Sequence, residues 1–265
     1  MIRISEKQRI VIKLGTSTIA HSTGKLNIRR MTTLVRVLAD LQNSGKEIII
    51  VSSGAVGLGV GKLGLKKKPT DTPSKQAAAA VGQCELMYTY DRIFSQYNHI
   101  VAQILLTGDD FAHEDRHQNF SNTIERLLSL SALPIINEND TVSTSEIMVG
   151  DNDTLSALVA KSVKAELLII LSDIDGLYSK DPKQNADAML IKKVYCIDES
   201  IEKLAKGAGS NLGTGGMITK IKAGKICNES GVDMVIANGE SPSVLYDITE
   251  GKDALFTRFY AKEKN

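Results

Sequence analysis

A chain of 265 residues, 42% of them hydrophobic, can bury a large core as one two-lobed domain or two small ones, which excludes a disordered or fibrous protein. Lys and Arg number 32 against 31 Asp and Glu, a net charge of +1, so no global field draws the chain to nucleic acid or anionic lipid. No apolar stretch approaches the roughly 18 residues of a membrane span, and Arg3, Glu6, Lys7 and Arg9 precede the first apolar run, which argues against export and membrane insertion. Cys84, Cys196 and Cys227 form no CxxC pair and read as reduced thiols buried as small hydrophobes, so the expected compartment is the cytoplasm.

Short apolar, β-branched runs alternate with longer helical patterns along the chain. RIVIKL at 9–14 reads as a first buried strand, followed by a helix over 27–43 with Asn27 as cap and Gly45 as stop. EIIIVS at 47–52 is the second strand, and the glycine-rich turn SSGAVGLGVG at 52–61 opens a helix. Lys66, Lys67 and Lys68 sit beside Pro69 as a solvated loop, and Ser74 can cap an Ala-rich helix to about Tyr97. Strands at 100–105, 133–136, 167–171 and 234–237 alternate with helices at 119–131, 154–163, 201–206 and 217–229. No internal repeat, low-complexity tract or Pro-rich linker appears, so the halves are expected to share one sheet with a soft boundary near residue 165. The pattern predicts an α/β fold: an open, mainly parallel central sheet with helices on both faces, and a ligand at the carboxyl ends of the strands.

The chemistry-bearing residues fall at those ends. Lys13, Gly15, Thr16 and Ser17 follow the first strand, Ser52, Ser53 and Gly54 the second, Asn137 to Asp140 the fourth, and Ser172, Asp173 and Asp175 the fifth. A lysine near a strand end is more often a solvated edge residue. Lys13, however, closes an apolar run beside GTS, where glycine admits a ligand to the backbone and hydroxyls add donors. The turn at 52–61 and a second at 207–220 (GAGSNLGTGGMITK) each open a helix whose first amides bind anions, which suggests a phosphate site. Neither is a Walker loop, because Val56 replaces the first glycine and Leu63 the Ser or Thr. In GDNDTLS at 150–156, Asp151 or Asp153 can cap the next helix, while a carboxylate held between two lysines would fix both ammonium groups. Lys220 is the candidate second lysine. It stands in the first turns of a helix, where the dipole disfavours a cation unless an anion is near.

VIKLGTST (11–18), VSSGAVGLG (51–59), NENDTVST (137–144), VGDNDTLSA (149–157), SDIDGLYSKDP (172–182) and GTGGMITK (213–220) occur in the order in which the amino acid kinase family carries them. The chain resembles that family, and within it the branch that phosphorylates glutamate; aspartokinases favour KFGG at the lysine strand, and uridylate kinases lack the NEND and GDND pair in this form. The resemblance implies a three-layer αβα sandwich, with L-glutamate on a lobe of about residues 1–165 and ATP on a lobe of about 166–265. It implies Lys13 and Lys220 on the transferring phosphoryl group with Asp153 organising them, and Ser53, Asp140 and Asn152 on glutamate. Lys13, Gly15, Ser172, Asp173, Thr214, Gly215, Gly216, Met217, Ile218, Thr219 and Lys220 are the implied ATP-binding positions. Mg2+ is expected on the ATP phosphates, with no protein side chain as its ligand. Relatives imply a homo-oligomer, dimer or tetramer, and a downstream glutamyl phosphate reductase as partner. Many relatives append a PUA domain, which this sequence is expected to lack.

The implied reaction needs no general base, because a carboxylate is already a nucleophile at neutral pH; His21, His99, His113 and His117 have no required role. Three other readings compete. GVGKLG at 59–64 matches a dinucleotide fingerprint but begins seven residues past Ser52 instead of at the strand end. A sibling kinase acting on acetylglutamate or aspartate, and a catalytically silent amino-acid sensor on the same fold, are the alternatives that an assay must separate.

Overall fold

The computed structural model describes residues 8–21, 23–143, 151–207 and 216–262. Strands β1 (Arg9–Leu14), β2 (Glu47–Ser52), β3 (Val101–Leu106), β4 (Leu133–Glu138), β5 (Leu167–Ser172), β6 (Lys193–Val194), β7 (Asp233–Asn238) and β8 (Phe256–Phe259) form one 8-stranded sheet in the order β3-β4-β2-β1-β5-β7-β8-β6. The pairings are parallel except β7 with β8. The helices are α1 (Thr16–Ile19), α2 (Ile28–Asn43), α3 (Ala55–Lys62), α4 (Thr72–Phe94), α5 (Gly108–Ala112), α6 (Glu114–Ser129), α7 (Asn152–Ser162), α8 (Glu199–Gly207), α9 (Met217–Ser230) and α10 (Val244–Glu250). Both faces of the sheet are covered, which is why its central strands read as continuous apolar runs.

Strand alternation divides the core in two. Ile10, Ile12 and Leu14 of β1 pack with residues of α2, α4 and α10, whereas Val11 packs with those of α6, α7 and α9. Lys13 shares the parity of Val11. The alternation of β1 therefore aims the lysine toward the layer that holds α7 and α9.

Several boundaries differ from the sequence expectation for identifiable reasons. The cap of α4 is Asp71, whose carboxylate accepts the Ser74 amide at 2.9 Å, with a proline in the first turn. Asn98, left-handed at φ 58, follows the 3-10 turn at its end. Helix α6 starts at Glu114 instead of 119, its acidic first turn favoured by the helix dipole. Strands β6 and β8 and helices α5 and α10 are short and escape periodicity altogether. Cys227 is buried, and burial pushes its thiol up to about 12, but Cys84 and Cys196 are exposed, contrary to the expectation of three buried thiols.

The first glycine-rich turn has two jobs. Gly54 is left-handed at φ 103 and starts α3, as a turn at a strand end requires. Gly59 instead lies inside α3, so the dinucleotide pattern starts within a helix and fails its structural context. A Cβ on Gly59 would stand 1.8 Å from Ala78 O of α4, and one on Gly82 would stand 1.7 Å from Ala55 O of α3. The two helices touch backbone to backbone at these glycines. Gly82→Ala should lower unfolding stability by about 3 kcal/mol, read from urea or thermal denaturation, because no side chain can move aside to admit the methyl.

Candidate active site

Asp151 settles the capping question at the start of α7. Its side chain accepts the Thr154 amide at 2.7 Å and the Thr154 hydroxyl at 3.0 Å, leaving Asp153 available for other partners. Asp153 is 1% exposed. Lys13 Nζ lies 2.6 Å from its Oδ1 and Lys220 Nζ 3.2 Å from its Oδ2. Thr219 donates to the same Oδ2 at 2.6 Å, with Gly216 O within 2.8 Å of its hydroxyl. Burial alone would push the Asp153 carboxyl up, but Lys13 and Lys220 overcome it and hold the group at about 2. Burial pulls the Lys220 ammonium below its usual range, and Asp153 works against that shift.

Elements converge on this carboxylate from β1, α7 and α9. Helix α9 begins after Gly216 and α1 after Gly15, and neither glycine supplies a side-chain cap to the first amides. Ser172 ends β5 and donates to Asp173 Oδ1 at 3.2 Å; Asp173 also acts electrostatically on Lys220. Thus Lys13, Gly15, Asp153, Ser172, Asp173, Gly216, Met217, Ile218, Thr219 and Lys220 fall at one end of neighbouring elements. Thr214 and Gly215 lie outside the described residues.

One residue before Asp153, the side chain of Asn152 turns toward β2 and β4. Its Nδ2 donates to Ser53 Oγ at 2.7 Å and to Asn137 Oδ1 at 3.1 Å. Asn137 in turn donates to Gln83 Oε1 at 2.9 Å and accepts the Glu138 amide at 2.9 Å. Sequence reasoning did not assign Asn137 or Gln83 a role. The available signal was the polar run after the fourth strand and a glutamine within an otherwise Ala-rich helix. Asp140 lies in the turn after β4, where burial and the neighbouring Glu138 carboxylate raise its carboxyl to about 6 against the opposing pull of Lys68. Lys66, Lys67 and Lys68 are exposed, as a solvated loop requires.

The arrangement joins a buried cationic pair to a polar pocket through adjacent residues of one helix, which suits transfer of an anionic group to a polar acceptor. The profile of the amino acid kinase family matches residues 8–238. The chain belongs to the amino acid kinase family. It is 50% identical over 264 residues to glutamate 5-kinase of Clostridium perfringens (strain 13 / Type A), covering 98% of each chain. Over 249 residues it is 54% identical to glutamate 5-kinase of Clostridium tetani (strain Massachusetts / E88), covering 94% of this chain and 93% of that one. Among solved structures, UMP kinase from Ureaplasma parvum superposes with a TM-score of 0.67 at 16% identity, over 97% of this chain and 100% of its own. At that identity it supports the fold alone. Among the described residues, no helix is long and apolar enough to cross a membrane.

Proposed function

We propose that this protein transfers the γ-phosphoryl group of ATP to the side-chain carboxylate of L-glutamate, giving L-glutamyl 5-phosphate and ADP, the first step of proline biosynthesis. The observation that carries this reading is the grip of Asp153 on Lys13 and Lys220, one residue from the amide that reaches Ser53. Its support from similarity is the shared length and identity with the glutamate 5-kinases.

In-line transfer brings two anions together, and the residues' main task is to neutralise them. Lys13 and Lys220 donate to the transferring phosphoryl oxygens, and Asp153 stays ionised between them so that neither ammonium swings away. Backbone amides after Gly15 and Gly216 take further phosphate oxygens. The nucleotide enters as MgATP. Mg2+ rides on the phosphates as part of the substrate. Ser53 and Asn152 hydrogen-bond the amino acid, and the Asp140 carboxylate pairs with its ammonium.

The lobe up to about residue 165 holds glutamate and the remainder holds ATP, within one continuous sheet. The product is a labile acyl phosphate, which suits prompt consumption by a reductase, and we read the working protein as a cytoplasmic homo-oligomer.

The raised Asp140 carboxyl gives a directional pH test. Its ionised form binds the ammonium and predominates above about pH 6, so the KM for glutamate should rise as pH falls through 6. In Asp140→Asn the KM should be high throughout and this limb should flatten. Steady-state kinetics from pH 5 to 8 measures both.

Hydroxylamine trapping tests the function itself. Purified protein with MgATP should form hydroxamate with glutamate and not with acetylglutamate or aspartate. Hydroxamate with one of the others would reassign the acceptor, and none with any of the three from folded protein would favour the sensor reading.

A further inference from the structure

Beyond Ser53, Asp140 and Asn152, the acceptor pocket contains a buried chain of amides with a fixed direction. The anchor is the Glu138 main-chain N–H, which can only donate; it points at Asn137 Oδ1 at 2.9 Å. Asn137 must therefore present its NH2 to the other side, where Gln83 Oε1 receives it at 2.9 Å. The same Oδ1 accepts Asn152 Nδ2 at 3.1 Å, so Asn152 must present its NH2, which also reaches Ser53 Oγ at 2.7 Å. Ser53 is then an acceptor toward Asn152 and keeps its own proton for a bound carboxylate.

Gln83 comes from α4, remote in sequence from every other member of this chain, and it is held firmly. Its neighbour Gly82 is the residue whose Cβ would stand 1.7 Å from Ala55 O, so α4 is packed backbone to backbone against α3 beside the glutamine. Gln83 is 9% exposed, and its Nε2 has no hydrogen-bond partner among the described residues. A buried amide with one end unsatisfied is costly to keep for packing alone, since an apolar side chain of similar volume would fill the same space.

We propose that Gln83 is a positioning residue for the acceptor: by receiving the Asn137 amide it holds in place the side chain whose sense the Glu138 N–H sets, and so steadies Asn152 and, through it, the direction in which Ser53 donates. This rests on the glutamate reading above, and the following experiment separates the two. Hydroxamate kinetics are compared for wild type, Gln83→Met, Gln83→Glu, Asn152→Ala and the Gln83→Met/Asn152→Ala double variant, with thermal melting as a check of folding.

Gln83→Met should raise the KM for glutamate about tenfold while kcat and the KM for ATP stay within about twofold. In the Asn152→Ala background the same substitution should add less than about twofold, because its route of action is gone. Gln83→Glu retains the oxygen that receives the Asn137 amide, and its glutamate KM should stay within about fivefold of wild type; it carries the test if Gln83→Met does not fold.

An unchanged KM in folded Gln83→Met, a parallel loss in kcat and both KM values, a full additional effect in the Asn152→Ala background, or a Gln83→Glu enzyme beyond that range would each overturn the positioning role. A wild-type protein that forms no hydroxamate with glutamate would overturn the glutamate reading instead, and with it this proposal.

Discussion

Lys220→Ala should lower kcat by about a thousandfold, with a similar loss in Lys13→Ala and a much smaller change in the KM for glutamate. The two ammonium groups meet the opposite oxygens of one buried carboxylate, at 3.2 Å and 2.6 Å. In the proposed reaction such a pair would face charge that develops only when the phosphoryl group is between donor and acceptor. Removing either cation leaves the other in place and the acceptor pocket intact, so binding of glutamate should survive while turnover does not. Single-turnover measurements with saturating MgATP would show whether the loss lies in the chemical step. Near-normal turnover in Lys220→Ala would contradict the assignment of this lysine to the phosphoryl group.

Asp153→Ala should be the most damaging substitution for the folded state. It deprives two buried ammonium groups of the carboxylate they share, and breaking a buried ion pair in this way costs about 3–5 kcal/mol. Asp153→Asn keeps the shape and should separate electrostatics from packing. Without the carboxylate, the main influence opposing burial at Lys220 is gone, and its ammonium, already pulled below its usual range, falls further. Activity of Asp153→Asn should therefore fall as pH rises, over a range where wild type holds steady.

Stability has the opposite sign of dependence. The wild-type carboxyl is lowered from 3.8 to about 2, so its contribution is fully present above about pH 4 and is lost as pH falls toward 2. Asp153→Asn lacks that acid limb. Urea denaturation at several pH values would reveal the difference, and an identical acid limb in both proteins would contradict the ion triad as drawn.

Much of the sheet was legible because each central strand is buried on both faces. Ile10, Val11 and Ile12, or Ile48, Ile49 and Ile50, leave no room for a surface reading. Lys13 stood out for the same reason, as a charge closing an apolar run. The antiparallel strand β8 was not legible, since FTRF is too short for its alternation to stand out from a loop. Gly59 and Gly82 were equally opaque. A glycine that admits a neighbouring backbone carries no local mark to distinguish it from one that frees a turn.

The sequence by itself determined the α/β alternation, the glycine-rich turn at 52–61 that opens α3 and the polar residues at the strand ends, because apolar periodicity and turn chemistry act over a few neighbouring residues. Only the tertiary structure decided that Asp151 caps while Asp153 binds the lysines, and that Gln83 closes the amide chain to Asn152. Lys220 and Asp153 are 67 residues apart, and they meet because β5 lies between β1 and β7 and α7 packs on α9. A buried charge takes its partner from the elements packed around it, and that neighbourhood is set by strand order, which no local pattern encodes.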